Sequence, residues 1–409
     1  MAVRKRQWKT SKGEAREAWT VDYVDQHGAR HIKTFDRKKD ADRYHAAVNV
    51  EVMEGVHAHE RGSITVKAAG EAWLEAAAAN GLEAATLAQY RQHLRLHIEP
   101  YLGAVLLANI TPATVRKLED DLKLGTPPPG AETGKPRSPA LTRKVMVSLS
   151  SIVADAQERG KVARNVVREV RARRTRGADS RSERRQRGRL KVGTDIPAPA
   201  EIRAIVEHLE GRWRPLILAA VFTGLRASEL RGLTWRDVDL DAAELHVRQR
   251  ADRFNSIGKP KSDAGNRTIP LPPILVNALR QWRLICPRRD GALELVFPNG
   301  RGKVESLANI INRGLIPPQI AAGIVEKRTD TEGRPVVAAR YTGMHALRHF
   351  YASWCINPRS AGGLELPPKV VQDRLGHSSI ALTMNVYAHL FPRGDDAGEL
   401  AAAERALLG

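Results

Sequence analysis

The sequence predicts a multidomain, mainly α-helical chain with small β-sheets. A length of 409 residues suggests two or three domains, and a hydrophobic content of 42% is enough to build real cores. Apolar residues recur at helical spacing through residues 64–165 and again after residue 192, whereas the alternating patterns typical of strands are short. An arginine-rich segment with few large apolar side chains separates these two regions. It therefore marks a boundary between folding units.

The charge balance points to a polyanionic partner. Lys and Arg number 66 against 46 Asp and Glu, which gives a net charge of +20 and a pI near 10.3. A surplus of this size is typical of proteins that meet nucleic acid. Ribosomal and other RNA-binding proteins show the same surplus as DNA-binding proteins, so the charge alone does not distinguish them.

Cysteine usage and hydropathy indicate where the chain works. Cys286 and Cys355 are the two cysteines, distant in sequence and outside any CxxC spacing. This pattern fits a reducing compartment without a disulfide framework or a cysteine-based zinc site. No run of about 18 apolar residues occurs, and the basic N-terminus lacks the apolar region of a signal peptide. We therefore expect a cytoplasmic protein with no membrane partner.

Residues 1–60 read as a small separate module. Alternation along AWTVDYV and then HIKTF predicts two strands joined by a turn near Gly28, and the basic segment VRKRQWKTSKG is a candidate third strand. A helical stretch follows from Asp36 to about Met53. Such a sheet could enter a DNA groove as β-ribbon readers do. A basic cap without contact to DNA is the alternative.

Residues 64–165 read as four helices. Each has a candidate N-cap before an apolar-periodic run, at Thr65, Thr86, Thr111 and Ser138. Prolines follow the last two caps directly, where a missing N–H costs nothing. The stripe along the fourth helix, from Leu141 to Ile152, predicts packing in a core.

The loop GTPPPGAETGKP within this helical region faintly resembles a nucleotide-binding loop. Its Gly130 and Lys135 are spaced one residue too short for that motif. Pro136 also stands where a Ser or Thr would hold magnesium. We therefore expect no nucleotide site there.

Residues 169–191 are dense in arginine and cannot bury a core, so they predict a linker that orders only against a polyanion. A solvated linker without contacts is the alternative. The larger C-terminal region, 192–409, begins with two helices, of which RPLILAAVFTGLRASELRGL is the more apolar. Short strands follow along TWRDVDLDAAELHVRQ and NRTIPL. Lys327–Arg334 is predicted to be a loop, helices resume at Met344, and a helical tail follows Gly398.

Four pieces of this C-terminal region place unusual polar residues beside apolar helices. An arginine follows the glycine break in TGLRASEL, a lysine lies in the turn KPKSDAGNR, HALRH puts a histidine and an arginine on one helix face, and LGHSSIALTMNVYAH ends the series. The polar residues concerned are Arg226, Glu229, Lys261, His345, Arg348, His377 and Tyr387. Two arginines can grip the oxygens of one phosphodiester with their planar forks, and a tyrosine can attack it.

Each piece alone has a structural explanation. Arg226 and Glu229 could be an ion pair, and His345 and His349 could be a surface pair or an i, i+4 metal site. The metal interpretation lacks a third ligand and the glutamate of an HExxH motif. No clustered acidic set of the kind that holds two metals is evident either. We therefore expect no metal.

The combination and order of these motifs resemble the tyrosine recombinases, the phage-integrase type in particular. The resemblance covers about residues 195–395, and a weaker architectural likeness extends upstream. It implies a small N-terminal β-sheet plus helix arm-binding module, a four-helix SAM-like core-binding domain, a basic linker, and an α+β tyrosine recombinase catalytic domain with a C-terminal tail. The corresponding residues are 1–60, 64–168, 169–191 and 192–409.

The resemblance carries functional roles onto matching positions. Arg226 and Arg348 match the two phosphate-binding arginines, and Tyr387 matches the nucleophile. Lys261 matches the lysine of the family's β-hairpin, with Lys259 two residues earlier as the alternative. These matches imply that the arginines bind the scissile phosphate while the tyrosine attacks it.

The remaining matches are histidines and one carboxylate. His345 matches the first histidine of the HxxR motif, His377 the His/Trp position, and Glu229 the acidic residue after the first arginine. Ala346 stands where Asp is common, and INPRSAGGLELPP is longer than the usual connection before LGH. Neither departure removes a catalytic group.

The activity implied is site-specific recombination through a 3′-phosphotyrosyl intermediate and a Holliday junction. His345 would be the general base, Lys261 would protonate the departing 5′ oxygen, and His377 would donate a hydrogen bond to the phosphate. The covalent link conserves the phosphodiester energy, so no cofactor, ATP or metal is implied. The implied partners are double-stranded DNA attachment sites and three further protomers in a tetramer on DNA. An excisionase or host DNA-bending protein would be an accessory factor, and the nucleoid of a bacterial host cell would be the location.

Three other functions remain as alternatives. A type IB topoisomerase-like or telomere-resolving enzyme would use the same chemistry. A catalytically silent DNA-binding protein would retain the fold, although all six catalytic positions are filled here. An RNA-binding protein would explain the charge but not the motifs. If the segment after His377 presents Tyr387 only on assembled DNA, the free protein holds Tyr387 away from the arginines.

Overall fold

A computed structural model describes residues 2–9, 15–25, 28–53, 63–170, 189–287, 293–329, 333–391 and 396–408. The chain divides into two compact units, Met1–Arg176 and Gly177–Gly409. Most of the arginine-rich linker, 171–188, lies outside the described residues, as does the turn at 26–27 between the predicted N-terminal strands. Among the described helices, none is long and apolar enough to cross a membrane.

The first unit opens with a three-stranded antiparallel sheet in the order β1-β2-β3. Its strands are β1 Ala2–Lys9, β2 Ala15–Val24 and β3 Arg30–Phe35, and helix α1 spans Lys38–Met53. The basic first segment is therefore a third strand, as predicted. Alternation along β2 buries Val21 and Tyr23 against Ala41 and Val48 of α1, which forms a small core.

The helical part of the first unit has its own core, centred on α2 and α6. Its elements are α2 Val66–Ala79, α3 Ala84–His93, a π-helical turn Leu94–Ile98, α4 Glu99–Leu102, α5 Pro112–Leu124, α6 Pro139–Glu158 and α7 Val166–Glu169. The predicted caps Thr65, Thr111 and Ser138 accept backbone N–H groups at the starts of α2, α5 and α6. The cap predicted at Thr86 is wrong, because the Thr86 amide already donates to the Glu83 carbonyl inside α3.

In its described residues, the second unit is mainly helical with three small antiparallel sheets. Its helices are α8 Pro199–Glu207, α9 Trp213–Thr223, α10 Ala227–Gly232, α11 Pro273–Ile285, α12 Leu307–Asn309, a π-helical turn Ile310–Leu315, α13 Ile316–Ala321, α14 His345–Ile356, α15 Pro368–Leu375, α16 Ile380–Tyr387 and α17 Asp396–Leu408. Its strands are β4 Val238–Asp239, β5 Glu244–Val247, β6 Arg250–Ala251, β7 Ile257–Gly258, β8 Arg267–Pro270, β9 Val325–Thr329 and β10 Pro335–Ala339. They form the sheet β4-β5-β8 and the hairpins β6–β7 and β9–β10.

Two predictions for this unit are wrong. Lys327–Arg334 was expected to be a loop, but its first three residues belong to β9, which pairs with β10, with Val337 opposite Lys327. Residues 330–332 of that prediction lie outside the described residues. The hydrogen bonds of that pairing link segments that lack an alternating pattern, so the sequence gives no strand signal. The tail helix was expected only beyond Gly398, yet α17 runs through that glycine. Strong helix formers on both sides outweigh the cost of one glycine.

Helix α9 is the centre of the second unit. Residues 216–221 are all buried, and α9 packs against α11 and α14. It ends at Gly224, whose left-handed φ of +60° turns the chain sharply into α10. The apolar helix therefore carries the residues that follow it, Leu225 and Arg226, to a fixed position.

Replacing Gly224 with alanine should destabilise the second unit by about 2–4 kcal/mol, from left-handed strain plus overpacking. An added Cβ would lie 2.3 Å from the ring of Tyr351. Gly211→Ala is the matched control, because Gly211 also has a positive φ but no atom within 4 Å of the added Cβ. Urea unfolding of both variants measures the difference. Equal losses would show that the Tyr351 contact does not limit position 224.

Candidate active site

Arg226 lies at the junction between the Gly224 turn and helix α10. Its backbone N–H donates to Glu229 Oε2 at 2.9 Å, and its Nη1 donates to Glu229 Oε1 at 2.7 Å. A third bond runs from Nη2 to the carbonyl of Gly376 at 3.2 Å. The side chain keeps 37% exposure. The guanidinium is thus fixed from one side and accessible from the other.

Glu229 is held between two arginines. Its side chain is 3% exposed, and the 5% exposed side chain of Arg267 donates to Oε2 at 2.8 Å. Burial alone would raise the pKa of Glu229, but the charges of Arg267 and Arg226 outweigh it and lower the pKa to about 2. The carboxylate is therefore ionised at any physiological pH. Three charged groups form one network.

Arg348 lies on α14 and is 2% exposed. Its Nη1 donates to the Gly224 carbonyl at 2.6 Å, and its Nη2 donates to the Leu375 carbonyl at 2.5 Å. Burial lowers the pKa of Arg348 to about 10, with a further contribution from Arg226. The guanidinium remains charged near neutral pH. It joins the end of α9 to the end of α15.

The Leu-Gly-His turn after α15 presents carbonyls to these arginines. Gly376 has a left-handed φ of +64°. An added Cβ there would lie 2.8 Å from Arg267 Nη1 and 2.9 Å from the carbonyl of Ala264. Glycine is therefore required both by the backbone and by the close approach of the segment after Lys261.

Tyr387 ends helix α16 and is 2% exposed. Its hydroxyl forms a 2.7 Å hydrogen bond with Nδ1 of His349. The ring of His377 stacks on it at an angle of 5° and a centroid distance of 6.4 Å. His345 packs edge-on against His349 at 5.0 Å. The tyrosine is therefore flanked by two imidazoles, those of His349 and His377, and its hydroxyl is paired with His349 rather than with an arginine.

Burial sets the protonation states of this group. It raises the pKa of Tyr387 to about 12, although Arg348 and Arg226 oppose the rise. It lowers the pKa of His349 and of His377 to about 4 each, with neighbouring cations contributing. Burial likewise lowers the pKa of His345. At neutral pH the imidazoles are uncharged and the phenol keeps its proton.

Lys261 lies on an exposed segment. It follows hairpin β6–β7, and its side chain is exposed, as is that of Lys259. Within the described residues, no hydrogen bond or ring contact joins Lys261 to the other five predicted residues. The segment still reaches the cluster, because Ala264 meets Gly376 and Gly265 accepts a bond from Arg267 Nη1 at 3.1 Å.

Sequence reasoning missed Arg267 and the pairing of His349 with Tyr387. A signal for Arg267 was available, since it lies two residues before Ile269 on β8 and so shares its face of the strand. Ile269 is fully buried, and an arginine on a buried face requires an anionic partner. Among the described residues, no group of three or more His, Cys, Asp or Glu side chains could hold a metal ion.

Lowering the pH from 7 to 5 should destabilise the second unit. His349 has a pKa of about 4 when folded and an ordinary value of 6.5, so the unfolded chain takes up the proton first. The stability that neutral His349 contributes is fully present above pH 6.5 and declines as the pH approaches 4. Glu229 affects stability at lower pH. The stability that its ionised carboxylate contributes is fully present above pH 4.5 and is lost as the pH falls through about 2.

His349→Gln should therefore lose less stability between pH 7 and pH 5 than the wild type. The difference should be on the order of 1 kcal/mol after allowance for solvent screening. Urea unfolding at pH 7, 6 and 5 measures it. Identical pH dependence in the two proteins would contradict the assignment of a neutral His349.

Family comparisons agree with the geometry. Residues 198–393 match the Phage integrase family, and residues 65–123 match the family's N-terminal SAM-like domain. The tyrosine recombinase XerC-like protein of Caldanaerobacter subterraneus is 30% identical over 50% of this chain, and the match spans 53% of that relative, about half its length. The prophage phiRv2 integrase of Mycobacterium tuberculosis is 26% identical over 91% of this chain and 88% of its own.

Solved structures show the same fold. The Tn1549 transposon integrase, in complex with a circular intermediate DNA, gives a TM-score of 0.57 at 19% identity and covers 84% of this chain and 100% of its own. A lambda integrase tetramer bound to a Holliday junction gives 0.51 at 18% identity, with 91% and 95% covered. The predicted multidomain, mainly α fold is confirmed. The chain belongs to the phage-integrase type of the tyrosine recombinase family.

Proposed function

We propose that the chain is a site-specific DNA recombinase that integrates or excises a phage or other mobile element. It would cut and rejoin DNA through a 3′-phosphotyrosyl intermediate and a Holliday junction. The observation that carries the proposal is a buried tyrosine, Tyr387, flanked by two imidazoles and lying in the field of two arginines that are fixed by one turn. Membership of the family supports the same chemistry.

The reaction is a transesterification in two balanced steps. The Tyr387 oxygen attacks the scissile phosphorus, His345 takes the phenolic proton, and the bond to the 5′ oxygen breaks. Lys261 protonates that 5′ oxygen, with Lys259 as the alternative. In the second step a 5′-hydroxyl gives its proton to the lysine and attacks the phosphotyrosine. The bond from phosphorus to the Tyr387 oxygen breaks, His345 returns the proton to that oxygen, and the phosphodiester is restored. The free energy of the bond is conserved, so neither ATP nor a metal is needed.

Cations around the phosphate lower the barrier. Arg226 and Arg348 grip the non-bridging oxygens and stabilise the more negative transition state, and His377 donates a further hydrogen bond. The pKa of Tyr387 is raised to about 12 in the free chain, so the phenol is a weak nucleophile before DNA binds. The bond to His349 holds it in that resting state. Attack therefore requires Tyr387 to exchange His349 for the phosphate.

The partners follow from the fold and the charge. We assign arm-type DNA contacts to residues 1–60, core-site contacts to 64–168, a backbone-following linker to 169–191, and cleavage to 192–409. The DNA partners are double-stranded attachment sites, bound by a tetramer as in the lambda integrase structure on a Holliday junction. An excisionase or a host DNA-bending protein would set directionality. The place of action would be the nucleoid in the bacterial cytoplasm.

The test uses the full chain and nicked suicide substrates built from the ends of the encoding element. We expect a covalent adduct with DNA that forms in excess EDTA and maps to the peptide containing Tyr387. Relaxation of plasmid without a specific site would favour a topoisomerase of the same chemistry. Binding without any adduct would indicate a catalytically silent protein and would sink the proposal.

DNA binding should weaken steeply with salt. A chain of net charge +20 that neutralises 6–10 phosphates would lose about 10³–10⁵ in affinity between 50 and 200 mM salt through counterion release. Fluorescence anisotropy on a labelled duplex measures the log–log slope. A slope near zero would contradict a clamp that contacts phosphates on several sides.

A further inference from the structure

Three consecutive backbone carbonyls at the end of α15 each accept a bond from a different arginine. Arg374 O accepts from Arg267 Nε at 2.8 Å. Leu375 O and Gly376 O accept from Arg348 Nη2 and Arg226 Nη2. These carbonyls carry the negative end of the helix dipole, which attracts cations. The turn that bears His377 is therefore fixed by three guanidinium groups.

Arg267 differs from the other two arginines in where its donors point. Its Nη1 and Nη2 reach both oxygens of Glu229, at 3.3 and 2.8 Å, and its Nε is used by Arg374 O. Its side chain is 5% exposed, against 37% for Arg226. All of its nitrogens are thus engaged within the protein. It is enclosed where DNA cannot reach it.

Glu229 links Arg267 to Arg226. The carboxylate accepts hydrogen bonds from both guanidinium groups, so neither arginine binds it alone. Because Glu229 is shared in this way, Arg226 keeps part of its hydrogen-bonding capacity for a phosphate. If Arg267 were absent, Glu229 would pair with Arg226 alone and hold it away from the DNA.

We infer that Arg267 is a positioning residue for strand cleavage. It holds Glu229 against Arg226 and fixes the 374–376 turn, so that Arg226 and His377 meet the scissile phosphate in one arrangement. This inference rests on the proposed function, because it concerns the rate of the same transesterification. Arg267 would thus support the six proposed catalytic residues without itself contacting DNA.

The experiment compares full-length wild type, Arg267→Met, Arg267→Lys and Glu229→Gln on the nicked suicide substrate under single-turnover conditions. We expect Arg267→Met to slow adduct formation by about 10²-fold, similar to the loss of one preorganised donor. Its Kd for duplex DNA should change far less than the cleavage rate, since Arg267 itself touches no phosphate and the one phosphate contact affected is that of Arg226. Arg267→Lys keeps the positive charge but lacks the planar guanidinium, so its rate of adduct formation should lie between those of wild type and Arg267→Met.

Two further readouts separate positioning from general loss of structure. The ratio of wild-type to Arg267→Met rates should shrink as the pH falls from 8 to 5.5, because a carboxylate with one partner is protonated more readily and a protonated Glu229 releases Arg226. In the combined Arg267→Met, Glu229→Gln variant this pH dependence should vanish. The cleavage rate of this combined variant should fall by no more than that of the slower single variant, since the two residues act as a unit.

Arg212→Met is the matched control, because Arg212 pairs with the buried Glu305 at 2.6 Å elsewhere in the unit. It should cleave at the wild-type rate. The inference is overturned if Arg267→Met and Arg267→Lys cleave like wild type, if DNA affinity falls in step with cleavage, or if Arg212→Met shows the same loss. Absence of an adduct with the wild type would instead refute the proposed function.

Discussion

Tyr387→Phe should form no covalent adduct with DNA while still binding it. The substitution removes the oxygen that we propose attacks the phosphorus, and it leaves the ring stacked on His377. The folding cost should be about 1 kcal/mol, the contribution of one hydrogen bond, here to His349. Denaturing gels of suicide-substrate reactions measure the adduct, and anisotropy measures binding.

The matched control is Tyr341→Phe. Tyr341 is 3% exposed, and its hydroxyl donates to Glu201 at 2.7 Å, so the same atom is lost from a buried tyrosine outside the cluster. That variant should form adduct as the wild type does. An adduct that persists in Tyr387→Phe would place the nucleophile elsewhere. Tyr351, the buried tyrosine of α14, would then be tested next.

Arg226→Ala should slow strand cleavage by at least about 10²–10³-fold, the loss typical of one oxyanion donor. Arg226 is the better arginine for this test because its side chain is 37% exposed. Arg348→Ala would also leave the Gly224 and Leu375 carbonyls without their guanidinium partner, at a folding cost of about 1–3 kcal/mol for each buried group. Rapid-quench kinetics at saturating protein measures the rate.

Arg280→Ala is the control for loss of positive charge. Arg280 is 53% exposed and pairs with Asp241, away from the tyrosine cluster. The Arg280→Ala variant should cleave at the wild-type rate, with only a small decrease in its affinity for DNA. If Arg226→Ala lowered affinity alone and left the single-turnover rate unchanged, Arg226 would be a binding residue and not a stabiliser of the transition state.

Local patterns were sufficient for much of the first unit. Caps at Thr65, Thr111 and Ser138 satisfy N–H groups within three residues, so the sequence alone placed those helix starts. The strand alternation of β2 was equally local. The failures occurred where pairing decides the structure, as in β9–β10, or where a helix starts without a side-chain cap, as in α3.

The sequence by itself determined which polar residues the catalytic region offers and their order, because Arg226, Lys261, His345, Arg348, His377 and Tyr387 lie in recognisable motifs. Only the tertiary structure decided how they pair. The bond from Arg226 to Gly376 spans 150 residues, and the bond from Arg348 to Gly224 spans 124. Packing also buried Arg267 beside Glu229 and set Tyr387 against His349. Burial and long-range contact fix these protonation states and hydrogen bonds, and no local pattern encodes them.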